Sequence, residues 1–163
     1  MFIKNCSEKH LLEILAIMNE AIANSTAMYD YEPRTLEKVH SMFVERKEKN
    51  FPLIGAFDEN ETLLGFATYG NFRPYEGYKF TAELSVFVHT NQRGKGIGKL
   101  LLSELIKEAR KTDIHSLIAV IDADNEPSIM LHKKMGFEFC GKISQAGFKF
   151  GRWLDVVFYQ MII

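Results

Sequence analysis

Gln92-Arg93-Gly94-Lys95-Gly96-Ile97-Gly98-Lys99 is the stretch on which the reading of this chain turns. A strand-like run, Leu84-Ser85-Val86-Phe87-Val88, leads into it, and a helix-like run from Leu100 to Ala109 leads out. A turn of this kind converges several backbone N–H groups on one point, which the positive end of the following helix also faces. Its glycines permit positive φ and let the backbone approach a ligand closely. With Arg93, Lys95 and Lys99 supplying local positive charge, the turn is suited to phosphate.

Working outward, the strand-like runs are Phe2–Asn5, Pro52–Phe57, Thr62–Asn71, Phe80–His89, Ser116–Ile121, Phe137–Lys142 and Trp153–Ile162. The helix-like runs are Glu8–Ala23 behind Ser7, Leu36–Lys49 behind Thr35, the segment after the glycine turn, and a segment opening at Asn125-Glu126-Pro127 and closing at Gly136. On the first helix, Leu11, Leu12, Ile14, Leu15, Ile17, Met18 and Ile22 form the expected apolar face. Asp58-Glu59-Asn60-Glu61 reads as a hairpin turn. The strand–helix–strand unit from Phe80 to Ile121 should cross over right-handed and make a parallel pair. The expected fold is therefore α/β, a mixed sheet with ligand at the carboxyl end of the strand at Val88. With 163 residues and no linker or repeat, one domain over residues 1–163 is expected.

Composition narrows the partners. Net charge is −1, which argues against the basic field of a nucleic-acid or membrane-surface binder. No run of about 18 apolar residues and no signal-peptide pattern is seen, so a cytoplasmic protein is expected. Cys6 and Cys140 belong to no CxxC pair. They are expected to be buried free thiols, with no metal site.

Three phosphate-binding loops compete for the octapeptide. A Walker A loop needs four residues between its first glycine and Gly-Lys, then Ser or Thr; here three lie between Gly94 and Gly98, and Leu100 follows Lys99. A dinucleotide fingerprint needs its third glycine where Lys99 stands. The third is an acyl-coenzyme A loop: Arg93-x-x-Gly96-x-Gly98 resembles the pyrophosphate signature of the GNAT superfamily of N-acetyltransferases. The segment Asn125-Glu126-Pro127-Ser128-Ile129-Met130-Leu131-His132, closed by Gly136-Phe137, resembles the same superfamily in order and spacing. Longer strings resemble its phosphinothricin/methionine-sulfoximine acetyltransferase branch: Asn19–Ile22 with Ser25–Tyr29, Thr81–Val88 and Lys149–Val156.

The resemblance implies a central, mostly antiparallel seven-stranded sheet with about four helices, splayed between its fourth and fifth strands. It implies acetyl-coenzyme A as co-substrate, a small amine as acceptor and a homodimer. Glu83 is the implied base for an amine that is mostly protonated at pH 7. Val86 would donate its N–H to the thioester oxygen. Phe87 and Val88 would pair with the pantetheine amides. The N–H groups from Arg93 through Gly94, Lys95, Gly96 and Ile97 to Gly98 would hold pyrophosphate, with Asn125 and Ser128 across from them. Many members carry Tyr seven residues after the Asn; here His132 stands there, and imidazole, water or no acid at all could serve the leaving thiolate. Tyr29, Arg73, Glu76, Gly77, Tyr78 and Lys79 are implied for the acceptor, with Tyr31, Lys149, Arg152 and Trp153 lining or closing its pocket. The branch usually has Trp where this chain has Phe72.

Overall fold

The computed structural model describes residues 1–163. Seven strands form one sheet: β1 (Phe2–Asn5), β2 (Leu53–Phe57), β3 (Leu63–Asn71), β4 (Thr81–Val88), β5 (Ser116–Asp122), β6 (Glu138–Lys149) and β7 (Arg152–Ile162). Four α-helices flank it: α1 (Leu11–Asn24), α2 (Leu36–Glu48), α3 (Ile97–Ala109) and α4 (Glu126–Lys134). The strand order is β1-β2-β3-β4-β5-β7-β6. Every neighbouring pair is antiparallel except β4 and β5, joined through α3 as the crossover rule requires.

That parallel pair is short. Thr81, Ala82 and Glu83 pair with Ser116, Leu117 and Ile118, and pairing stops there. Beyond it, β4 remains paired with β3 as far as Val88, while β5 remains paired with β7 as far as Asp122. The two halves of the sheet therefore part immediately after Glu83. Strand alternation decides what faces each side. Ala82, Leu84, Val86 and Val88 pack with α3 through Leu101, Leu102 and Leu105. Phe87 packs with the α1–α2 layer, against Phe66 at 5.3 Å between ring centroids. Glu83 and Ser85 share the face of Phe87.

Some boundaries depart from the sequence expectation. The first helix opens as a 3₁₀ turn at Glu8–His10, where the Ser7 N–H donates to His10 Nδ1 at 2.9 Å. Leu12 lies outside the apolar face, 65% exposed, because α1 buries only the stripe through Leu11, Ile14, Ile17, Met18, Ala21 and Ile22. Cys140 is exposed, not buried as expected, since it lies on the edge strand; Cys6 is buried. Most notably, β6 runs on to Lys149 instead of ending at Lys142. Its pairing with β7 is irregular between Ile143 and Gly147, where Gln145 adopts φ 54° and donates its N–H to Asp155 Oδ1 at 2.8 Å. Such an irregularity erases the two-residue period that marks a strand in sequence.

Past this irregularity β6 and β7 continue as a hairpin, closed by Phe150 and Gly151 at φ 53° and 74°. The hairpin grips the segment after α1. Lys149 is 3% exposed. Its ammonium donates to the carbonyls of Ile22, Ser25 and Met28 at 2.7, 2.9 and 2.7 Å. Three donors meet three acceptors at the negative end of α1. The sequence resemblance implied that Lys149 lines or closes the acceptor pocket; its side chain is instead buried behind the loop and absent from the cleft lining. Lys149→Met leaves those carbonyls without a donor and is expected to cost about 3 kcal/mol. Thermal unfolding would show a midpoint lowered by roughly 6–12 °C.

Candidate active site

The parting of β4 and β5 opens a cleft of about 650 Å³. Glu83, Leu84, Ser85, Val86, Phe87 and Val88 line one wall. Ala119, Val120, Ile121 and Asp122 of β5 line the other. The glycine turn closes one end, and the first turns of α4 cover the side through Asn125, Ser128, Leu131 and His132.

At the glycine turn, Gly94 and Gly96 adopt φ 76° and 82°, and α3 begins directly after Gly96. A Cβ on Gly96 would meet no heavy atom within 4 Å, so the concavity in front of the helix is open. Arg93, Gly94, Gly96, Ile97 and Gly98 all line the cleft. Lys95 does not. Its ammonium turns back to Gln92 Oε1 at 2.8 Å and the Asn91 carbonyl at 3.2 Å, while Lys99, singled out only for its charge, does line the cleft. Arg93 donates through Nε to the Val88 carbonyl at 3.3 Å and lies 3.4 Å from Glu20 Oε2. Glu20 also accepts from the Thr90 hydroxyl, tying α1 to the turn.

Glu83 stands where the parallel pairing ends, and burial raises its pKa above the ordinary carboxylate value, opposed by the charge of Arg73. A carboxylate so placed is a better base near neutral pH than an exposed one. His132 is buried. Its Nδ1 lies 2.8 Å from the Ser128 carbonyl, which makes Nδ1 the protonated nitrogen and leaves Nε2 a lone-pair acceptor. Nε2 is buried without a partner, and burial lowers the imidazole pKa. His132 is thus held neutral, its ring edge-on to Phe137 at 5.2 Å. Asn125 caps α4, its Oδ1 accepting from the Ser128 N–H at 3.3 Å.

Of the acceptor residues expected from sequence, Tyr29 lines the cleft beside Ser25, Thr26 and Ala27. Arg73, Glu76, Gly77, Tyr78 and Lys79 do not; they occupy the exposed loop between β3 and β4. Arg73 stacks on the Phe72 ring at 4.3 Å and donates to the Phe72 carbonyl at 2.8 Å, while Lys79 lies over the Phe80 ring at 4.9 Å. Two residues that buttress the cleft were given no role from the sequence. Glu20 looks like any solvated charge on an amphipathic helix. Asp122, buried at the end of β5, accepts from the Thr26 hydroxyl and, through Oδ1, from the Asp124 N–H at 3.1 Å. An acidic residue ending the apolar run Ser116–Ile121 was the available signal. No group of three or more His, Cys, Asp or Glu side chains is placed to hold a metal ion, and no helix is long and apolar enough to cross a membrane.

Comparison with known proteins agrees with this fold. A family model described as an acetyltransferase (GNAT) domain matches residues 3–158. The chain is 42% identical over 159 residues to an L-methionine sulfoximine/L-methionine sulfone acetyltransferase of Pseudomonas aeruginosa, across 98% of this chain and 92% of that protein. It superposes with TM-score 0.97 and 34% identity on a GNAT phosphinothricin acetyltransferase from Sinorhizobium meliloti crystallised with acetyl-coenzyme A, covering 99% of this chain and 88% of that one. It superposes equally well, TM-score 0.97 at 45% identity and over the whole of both chains, on a ribosomal-protein-alanine N-acetyltransferase from Brucella melitensis. A cleft opened by a splayed parallel pair, a glycine turn at its end and family identity over nearly the full length lead to one conclusion: the chain belongs to the GNAT family of acetyltransferases.

Proposed function

We propose that residues 1–163 act as one N-acetyltransferase domain that uses acetyl-coenzyme A. The acceptor is the α-amino group of a small amino-acid-like compound of the methionine sulfoximine, methionine sulfone or phosphinothricin type. The observation that carries the mechanism is the position of Glu83. It lines the cleft at the point where β4 loses its partner, on the strand face turned toward the α1–α2 layer and its Tyr29-bearing loop.

The residues present fit acetyl-coenzyme A. The turn from Arg93 to Gly98, open in front of α3, would hold the pyrophosphate. The edge of Val86 to Val88, unpaired toward β5, would take the amide-rich arm as a neighbouring strand. When bound, acetyl-coenzyme A supplies an acetyl thioester. Glu83 removes the proton from the acceptor ammonium so that the free amine can attack. The Val86 N–H, on the edge left unpaired toward β5, would donate to the thioester carbonyl oxygen as charge gathers there. As the C–N bond forms and the C–S bond breaks, His132, neutral and with Nε2 unpartnered, would accept the second proton of the attacking amine and pass it to the departing thiolate. Transfer is direct in a ternary complex. Neither cysteine lines the cleft, and burial pushes the Cys6 thiol up to about 12, far from a nucleophilic thiolate. A cytoplasmic homodimer completes this reading.

A peptide amino terminus is the second acceptor class, favoured by the likeness to the Brucella enzyme. Thiol release from acetyl-coenzyme A separates the two. The panel is methionine sulfone, methionine sulfoximine, phosphinothricin, free amino acids, a polyamine, an aminoglycoside and a peptide with amino-terminal alanine. Rapid release is expected with the first three. Release with the peptide alone would move the acceptor to a protein terminus, and none with any would remove the proposed substrate class.

A further inference from the structure

We propose that Gly147, on the hairpin behind the cleft, sets the size of the acceptor pocket by having no side chain. This deepens the small-acceptor reading above and rests on it. A Cβ built on Gly147 would lie 2.6 Å from Cε2 of Tyr29 and 3.1 Å from both Cδ2 and Cζ. The phenol ring therefore occupies the space that any other residue at 147 would fill. Gly147 is not among the residues with positive φ, so its backbone suits any L-residue. What requires glycine here is the ring, not the turn. Tyr29 lines the cleft on the acceptor-facing loop, and it rests on the hairpin at Gly147.

Neither strand nor loop can back away to relieve a clash. Lys149 is anchored by its three hydrogen bonds to the carbonyls of Ile22, Ser25 and Met28. Tyr31, two residues past Tyr29, donates its hydroxyl to the Phe148 carbonyl at 2.5 Å. The hairpin and the loop are thus pinned on both sides of the contact, and the ring is the part left free to rotate. With Gly147 it lies back against the strand and leaves room for an acceptor with a long, oxygen-headed side chain, as in methionine sulfone. With alanine there, the ring is driven toward the cleft, and long acceptors lose space that short ones never use.

The test is a double-mutant cycle of Gly147→Ala and Tyr29→Ala, with acetyl-coenzyme A affinity measured by calorimetry. Gly147→Ala is expected to lower kcat/KM for methionine sulfone about tenfold or more, with acetyl-coenzyme A affinity within twofold of wild type. The same change in the Tyr29→Ala background should alter kcat/KM less than twofold. The melting midpoints form a second cycle that needs no activity: Gly147→Ala should lower the midpoint only when Tyr29 is present. Equal effects in both backgrounds, or none with Tyr29 present, would overturn the inference, as would a Gly147→Ala protein that fails to fold even without Tyr29. A wild type that acetylates none of the small acceptors removes both this inference and the substrate class beneath it. An active wild type indifferent to Gly147→Ala removes this inference alone.

Discussion

Glu83→Gln is expected to lower kcat about a hundred- to thousandfold, the usual contribution of a positioned general base, while acetyl-coenzyme A affinity stays near wild type. Glutamine keeps the shape and the hydrogen-bonding oxygen but cannot take a proton. Rapid-quench or thiol-release kinetics with a separate binding measurement would show the split. Turnover equal to wild type would remove Glu83 from the mechanism. The pH profile carries a second signature. Because burial raises its pKa, Glu83 is lost as a base when pH falls through a value above the ordinary 4.5, and this limb of kcat/KM should vanish in the variant. Stability should move the other way. A carboxyl whose folded pKa is raised binds its proton more tightly in the fold than in the unfolded chain. Folding stability is therefore lost as pH rises from near 4.5 through the raised value. At pH 7 the buried charge costs the wild type stability that Glu83→Gln does not lose. The variant should melt higher there, with the difference closing toward pH 4.

Gly96→Val is expected to weaken acetyl-coenzyme A binding about a hundredfold, a loss near 2.8 kcal/mol, with the fold retained. Two effects add. An L-residue held at φ 82° is strained by about 1–2 kcal/mol, more for a β-branched one. The new side chain would also project into the open concavity before α3, where no protein atom lies within 4 Å of its Cβ. The same openness leaves the core untouched, so only the backbone strain reaches the fold, and the melting midpoint should fall by roughly 4–8 °C. Calorimetric titration with acetyl-coenzyme A checks the affinity. An unchanged dissociation constant would mean that the pyrophosphate is held elsewhere.

The two halves of the site were not equally legible in the sequence. The side proposed for the cofactor is written in local signals. A glycine turn between a strand and a helix, and an asparagine opening a second helix, are spacings along the chain, and the structure brings Arg93, Gly96, Gly98, Asn125 and Ser128 to one cleft. Lys95 was the exception, because a flexible ammonium follows whichever oxygens lie nearest, here those of Asn91 and Gln92. The acceptor side is assembled from segments far apart in sequence. Tyr29, Gly147 and Lys149 meet only because the hairpin folds over the end of α1, and the irregular pairing near Gln145 hid that hairpin's strand. Arg73, expected in the pocket, is drawn to the Phe72 ring and carbonyl beside it.

By itself, then, the sequence determined the order of strands and helices, the parallel crossover through α3 and the glycine turn before it. Each of these depends on residue periodicity, glycine placement and capping within a few positions. Only the tertiary structure decided where β4 and β5 separate, that Glu83 stands at that point, which nitrogen of His132 carries the proton, and that a buried ammonium at Lys149 fixes the loop bearing Tyr29. Burial, desolvation and the pairing of groups more than a hundred residues apart are properties of packed surfaces, and no local pattern encodes them.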